Sequence, residues 1–347
     1  MKIAIDCRYI GKSGIGRVCQ GIIDNLDYSR HQFYLFGNKI ELSRYKNAVI
    51  IEDNTEPYSL KGLLKFNKKI INKECDALII PNFLIPFGIK IPVHAVMHDL
   101  IFLDVKETTN GKIDYFIKKT LLKRCMKKAK SISCVSGFTL NRCKCHFAEY
   151  ADKCYINYDG VSDDVIEYAK THGQPEKTDT IVFVGNVKRH KGLISLLDAF
   201  STIGNSKLKL KIIGEKEGFI TGLDLDESKY ENVVFTGRLS NVDLLSEISK
   251  AKFLIQPSVY EGFGLPPLEA LYLGTKPIIS DIEVFKEIYS DLPVTFFKVG
   301  DAEDLKDKIL NESPYVENVR EIIDKKFNYA VCARNILSRL ESEAGKK

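Results

Sequence analysis

A chain of 347 residues exceeds what one ordinary hydrophobic core organises and points to two domains. Its 44% hydrophobic and 28% charged residues describe a soluble globular protein, and no apolar run has the length of a membrane span. The net charge of +5 is unevenly spread: residues 1–165 hold 26 Lys/Arg against 18 Asp/Glu, and the remainder 25 against 28. Nine cysteines form an odd set in a large chain that opens on Met1-Lys2-Ile3-Ala4-Ile5-Asp6 with no signal-peptide pattern, so cytoplasmic residence with reduced thiols is expected.

In chain order, β-rich runs at Lys2–Asp6, 32–36, Ala77–Ile80, Val93–Met97 and 131–135 alternate with helical patterns. That rhythm predicts a parallel sheet covered by helices. Ahead of the fifth run, Lys118, Lys119, Lys123, Arg124, Lys127, Lys128 and Lys130 interleave with Ile117, Leu121, Leu122 and Met126 at helical spacing. This is either a solvated helix lying over the sheet or a basic face for anionic lipid headgroups. Nucleic acid is not expected, because neither an aromatic stacking platform nor a helix-turn-helix signature accompanies the charge. Tyr155-Ile156-Asn157 adds one more strand, and the aperiodic, Asp- and Pro-bearing stretch 159–177 reads as a linker.

A second series of strands is expected at 180–185, 208–213, 233–235, 253–255 and 277–279. The expected fold is α/β, with two Rossmann-like domains at 1–165 and 166–327. After Pro314 a long helical pattern carries Ile322, Ile323, Phe327, Val331, Ile336 and Leu340. It is expected to brace the domain junction, with a C-terminal helix at about 328–347 packing back on the first domain and a charged tail frayed from 341.

The most informative stretch is Glu261-Gly262-Phe263-Gly264-Leu265-Pro266-Pro267-Leu268-Glu269-Ala270. Glycines allow close backbone approach, prolines suit a first helical turn, and free N–H groups there suit an anion such as phosphate. Carboxylates on either side of a bound phosphate would need hydroxyl partners on the same ligand, a layout that a nucleoside diphosphate sugar has. Gly11-Lys12-Ser13-Gly14-Ile15-Gly16-Arg17 follows the first strand as either a ligand-facing loop or a structural turn, and it fits neither the dinucleotide nor the Walker A spacing. His98-Asp99 closes the run Val93–Met97, a strand edge where open α/β sheets place ligands, although a lone His is often structural and Asp99 can simply turn the chain.

Asn186-Val187-Lys188-Arg189-His190-Lys191 gathers cations at another strand edge, with Lys191 nearest the next helix and best placed to neutralise a departing diphosphate. Arg238 holds a comparable edge. Asp224-Leu225-Asp226 reads as a loop, and with no His or carboxylate cluster to accompany it no metal site is expected.

Taken together and in this order, these segments, with Val135-Ser136, Asp159-Gly160-Val161 and Val234-Phe235-Thr236-Gly237, resemble the retaining glycosyltransferases of family 4, which have GT-B architecture. The resemblance covers nearly the whole chain. It implies that Glu269 holds ribose hydroxyls, that Glu261 faces the transferred sugar, and that amides around Phe263, Gly264 and Leu265 hold the diphosphate. It also implies that Lys191 stabilises the leaving group and that His98 lies near the sugar on the acceptor side, with Gly14 and Gly16 in the facing loop. Two departures stand out. Asn186 replaces a common Arg, a role Arg189 can supply, and Asp159 replaces a common Asn.

The implied reaction is retaining, metal-independent transfer from a UDP- or GDP-sugar, as co-substrate, to a glycan or lipid-linked acceptor in surface polysaccharide synthesis. Domain closure and a peripheral place on the inner face of the cell membrane are further expectations. A sugar-nucleotide epimerase and an inactive nucleotide-sugar-binding scaffold are the alternative readings.

Overall fold

The computed structural model describes residues 1–12, 14–204, 207–215 and 230–344. Ser13, the Asp224-Leu225-Asp226 segment and the last three residues lie outside the described residues. The chain divides into two compact units. One comprises 1–103, 111–160 and 328–347; the other comprises 104–110 and 161–327.

The first unit is built on strands β1 (Lys2–Asp6), β2 (Gln32–Gly37), β3 (Val49–Glu52), β4 (Ala77–Ile80), β5 (Val93–Met97), β6 (Ser131–Cys134) and β7 (Cys154–Ile156). They form one parallel sheet in the order β3-β2-β1-β4-β5-β6-β7. β4, β5 and β6 are buried along their whole length, as expected of parallel strands covered by helices on both faces. His94, in the middle of β5, is accommodated because Ser131 Oγ lies 3.0 Å from its Nδ1 and Ser133 Oγ 3.1 Å from its Nε2. Burial lowers its pKa to about 3, so it is a neutral core residue.

The second unit repeats the plan with β8 (Thr180–Val184), β9 (Lys209–Ile213), β10 (Val233–Gly237), β11 (Phe253–Gln256), β12 (Lys276–Ser280) and β13 (Thr295–Phe297). Their order is β10-β9-β8-β11-β12-β13, again parallel throughout. Ile181, Phe183, Phe253, Ile255 and Ile278 from these strands pack with Leu193, Leu196 and Leu197 of the following helix in one apolar core. Strand order reverses between β8 and β11, where Phe253 stands beside Ile181 and Leu254 beside Val182.

The structure differs from the sequence reading in four places. β3 and β13 were not anticipated; one is only partly buried and the other is three residues long, so neither gives a strong apolar signal. The stretch read as a linker contains the helix Asp163–His172, whose inward side is Val165, Tyr168 and Ala169. The unit boundary therefore falls at 160/161, ahead of that helix. The C-terminal helix expected at about 328–347 does pack on the first unit, as Tyr329–Ala344, with Arg320–Lys326 before it in the second unit, but the stretch 341–344 expected to fray is its last helical turn.

Helix Tyr329–Ala344 packs on helix Gly14–Asp24. A Cβ at Gly21 would come within 2.5 Å of the Tyr329 ring, so the absence of a side chain there creates its seat. Asn157 Nδ2 donates to the carbonyl of Cys332 at 3.1 Å, and Arg30 pairs with Glu341 at 2.9 Å.

Asp159 is 3% exposed, and one of its carboxyl oxygens has no hydrogen-bond partner. Burial raises its pKa well above the ordinary carboxyl value. Because the folded state binds this proton more tightly than the unfolded state, the group destabilises the fold increasingly as pH rises above the unfolded carboxyl pKa of about 4. Asp159→Asn is therefore expected to raise stability at neutral pH by about 1–2 kcal/mol, with no gain near pH 4. Denaturant midpoints across that range check it, and a constant difference between the two proteins would refute the assignment.

Candidate functional site

In the second unit the site grows from the loops that follow the two strands flanking the order reversal. The loop after β8 ends in a short turn, Arg189–Lys191, and Gly192 then starts the helix Leu193–Ser201. Gly192 has φ +69°, and a Cβ on it would lie 1.8 Å from the carbonyl oxygen of Pro257, so only glycine lets the turn rest against the segment after β11. Val259 N donates to the carbonyl of His190 at 2.9 Å and ties the same two loops.

These contacts bring Lys191 to Glu261. Lys191 Nζ donates to both carboxylate oxygens, at 2.7 and 2.9 Å, and Ser258 Oγ donates to Oε1 at 2.7 Å. The side chains are only 22% and 11% exposed. Burial by itself would raise the pKa of Glu261, but the charge and hydrogen bonds of Lys191, with Ser258, hold it below its usual value. His190, beside the pair, has its pKa lowered to about 4, by burial first and then by Lys191, and is neutral at pH 7.

Five residues after β11, Glu261 leads into the helix Leu265–Tyr272. Gly264 caps that helix with φ +90°, and a Cβ there would meet the Phe285 ring at 2.4 Å. The Tyr289 hydroxyl donates to the carbonyl of Gly264 and fixes the turn. Pro266 and Pro267 follow Leu265 and have no N–H, so neither proline can donate to an anion at this end, which leaves the amides of Gly264 and Leu265. Phe263 turns its ring inward, edge-on to Phe327 with centroids 5.6 Å apart.

Glu269 lies one turn into the helix and is 3% exposed. Tyr289 senses both carboxylates: burial first, then the charges of Glu269 and Glu261, push its hydroxyl pKa well above normal. The sequence reading missed Tyr289 and Ser258. Tyr289 ends a helix with no motif of its own, whereas Ser258 could have been noticed as a hydroxyl close after an apolar strand and before Glu261.

Asn186, Arg189 and Arg238 are not drawn into this pair. Asn186 Oδ1 accepts from Glu215 N at 3.4 Å, Arg189 is exposed, and Arg238 is 58% exposed with Glu215 3.8 Å away.

The first unit carries the other expected residues, Gly14, Gly16 and His98. Gly14 opens helix Gly14–Asp24, and a Cβ there would meet nothing within 4 Å. Gly16 is different, since its Cβ would lie 2.0 Å from the carbonyl oxygen of Tyr9. Gly16 thus packs the helix on the loop after β1, and Gly14 is the position open to a ligand. His98 follows β5 with Nε2 donating to the carbonyl of Pro81 at 2.7 Å. This fixes the proton on Nε2 and leaves Nδ1 as an acceptor in the neutral ring, which burial favours by lowering the pKa. Thr139 Oγ1 donates to the carbonyl of His98 at 3.0 Å, and Asp99 accepts from Ile101 N, turning the chain into the next helix.

The Glu261 carboxylate contributes stability above its unfolded pKa of about 4, and that contribution is lost as pH falls through its depressed folded pKa. Lys191→Met leaves a buried carboxylate without its cation and is expected to cost about 1–3 kcal/mol at pH 7. The deficit should shrink on acidification, and adding Glu261→Gln should recover part of it. Urea unfolding of the three variants decides this; a Lys191→Met protein of wild-type stability would show that the pair does not hold these loops.

Residues 164–313 match the family model described as glycosyl transferases group 1. Over 222 residues the chain is 28% identical to the O-antigen chain mannosyltransferase RfbU of Salmonella typhimurium, a match that spans 60% of this chain and 61% of that one. It is 26% identical over 330 residues to an uncharacterized glycosyltransferase of Methanocaldococcus jannaschii, covering 85% of each. The fold also matches that of Anabaena HepE, solved in complex with UDP and glucose, with a TM-score of 0.70 at 16% identity over 99% of this chain and all of the other. Residues 164–313 are thus similar in sequence to the group 1 glycosyl transferases, and the chain as a whole shares the GT-B fold.

Proposed function

We propose that the protein transfers a sugar, with retention at the anomeric carbon, from a nucleoside diphosphate sugar to a glycan or lipid-linked acceptor in surface polysaccharide synthesis. The observation that carries this reading is the Lys191–Glu261 pair beside the Gly264-capped helix that bears Glu269. The named activity of the Salmonella relative supports the polysaccharide context.

Each group has a distinct task. Backbone amides at Gly264 and Leu265 donate to the diphosphate oxygens, and buried Glu269 accepts from ribose hydroxyls. Glu261 presents its carboxylate to hydroxyls of the sugar. Lys191, held by Glu261, is a pre-oriented cation whose charge stabilises the departing diphosphate, a task that requires no divalent ion. In the first unit, the Nδ1 acceptor of His98 can receive a sugar hydroxyl. The acceptor attacks the anomeric carbon on the face the diphosphate leaves, and a diphosphate oxygen takes the acceptor's proton.

The acceptor class suggests a membrane surface. Helix Gly111–Lys128 buries Leu122, Cys125 and Met126 but leaves Ile113, Phe116 and Ile117 at 78%, 69% and 51% exposure. Exposed Lys112, Lys119, Lys123 and Lys127 lie along the same helix. Apolar groups beside lysines fit insertion at an anionic lipid surface. No helix among the described residues is long and apolar enough to cross a membrane. The reading therefore places the protein peripherally, on the inner face of the cell membrane.

Calorimetric titration with UDP, GDP, ADP and TDP is expected to show binding of at least one diphosphate, weakened by about 1–3 kcal/mol in Glu269→Ala. Unchanged affinity in that variant would remove Glu269 from the ribose, and donor conversion without any acceptor would favour an epimerase. Phe116→Asp combined with Lys119→Glu and Lys123→Glu is expected to abolish co-sedimentation with phosphatidylglycerol vesicles while leaving nucleotide affinity unchanged. Co-sedimentation that survives these changes would sink the membrane assignment.

A further inference from the structure

Outside the residues assigned to sugar transfer, the first unit assembles three thiols that are well separated in sequence. Cys134 ends β6, Cys143 lies on the inward side of helix Gly137–His146, and Cys154 opens β7. Their sulfur atoms all lie within 4.8 Å of one another, and Cys134 Sγ is 3.9 Å from Cys143 Sγ. A disulfide would need about 2.05 Å. Two thiolates bound to one zinc-sized ion at about 2.3 Å stand about 3.8–4.0 Å apart for tetrahedral to trigonal angles, which is the spacing observed.

Cys134 and Cys143 are fully buried and Cys154 is half-buried, so the cluster has a closed side and one reachable edge. Cys125, on the covering helix Gly111–Lys128, is near enough to Cys143 and Cys154 for their charges to interact. The adjacent ammonium of Lys153 is already engaged with the carbonyls of Met126, Lys127 and Ala129, at 3.1, 2.9 and 3.0 Å. Cys145, the other thiol of the Cys143-Lys144-Cys145 run, is exposed and is not part of the group.

We infer that Cys134, Cys143 and Cys154 form a binding site for a thiophilic d10 cation of the zinc class, separate from the sugar-transfer residues. Binding replaces three S–H bonds with three metal–sulfur bonds and releases the protons to solvent. The site joins two neighbouring strands to the helix Gly137–His146. Ser136 caps that helix by accepting from Thr139 N, and the hydroxyl of the same Thr139 holds the carbonyl of His98. Cys134 itself stands beside Met97, the residue before His98. A metal there braces the strand end and helix that position His98.

The test is titration of the reduced, chelator-treated full-length protein with Cd2+, followed by its thiolate-to-metal charge-transfer absorption in the ultraviolet, with Zn2+ as competitor. Saturation at a single equivalent is expected, with affinity lowered about tenfold or more in Cys154→Ser and unchanged in Cys145→Ser and Cys332→Ser. Because Cys134 and Cys143 are core residues whose variants can misfold, alkylation of the wild-type protein gives an independent reading. Zn2+ is expected to protect Cys154, the reachable thiol of the three, while Cys145 is still modified. Absence of the charge-transfer band, a band that persists undiminished in Cys154→Ser, or alkylation of Cys154 unaffected by Zn2+ would overturn the inference.

Discussion

The constraint on which the donor-side geometry depends is the parallel pairing of β8 with β11 at the point where the strand order reverses. At such a point the two flanking connections run to opposite sides of the sheet, so the loops at the carboxyl ends of the strands part and leave a crevice with side chains from both. One loop delivers Lys191 and the other Glu261. Neither would reach the other from a non-adjacent strand. The glycine at 192 and the hydrogen bond from Val259 N to His190 O then close the remaining distance.

Electrostatics give this arrangement its chemical value. A carboxylate that is 11% exposed stays charged because its desolvation is offset by an ammonium 2.7 Å away and a hydroxyl at the same distance. The ammonium is likewise held in one place before a ligand arrives. Preorganised charge of this kind need not be reoriented when negative charge develops, which is where a polar site gains over bulk water. The proline pair after Leu265 sharpens the same region by limiting the amides to those that precede it.

Much of this plan was legible in the sequence because its carriers are local. The two strand series and the helix entry at Gly264 follow from residues close together in the chain, and Lys191 and Glu261 each stand out locally, in a loop that follows an apolar strand. What was not legible is what depends on tertiary contact. The helix Asp163–His172 looked like a linker because its apolar side, Val165, Tyr168 and Ala169, is short and interrupted. Gly14 and Gly16 look alike in sequence, and only the carbonyl of Tyr9 distinguishes them. Tyr289 and the convergence of Cys134, Cys143 and Cys154 come from elements whose juxtaposition no spacing rule encodes.

The seat that Gly21 offers to Tyr329 also has a temporal side. The ring that fills it is made more than three hundred residues after the glycine, and the helix that carries it returns to the first unit only after residue 327. During synthesis the second unit is complete in sequence while the first still lacks its closing helix. Apolar positions on helix Gly14–Asp24 must therefore wait uncovered until residues 329–344 have been made. A segment made late thus completes the packing of one made long before it.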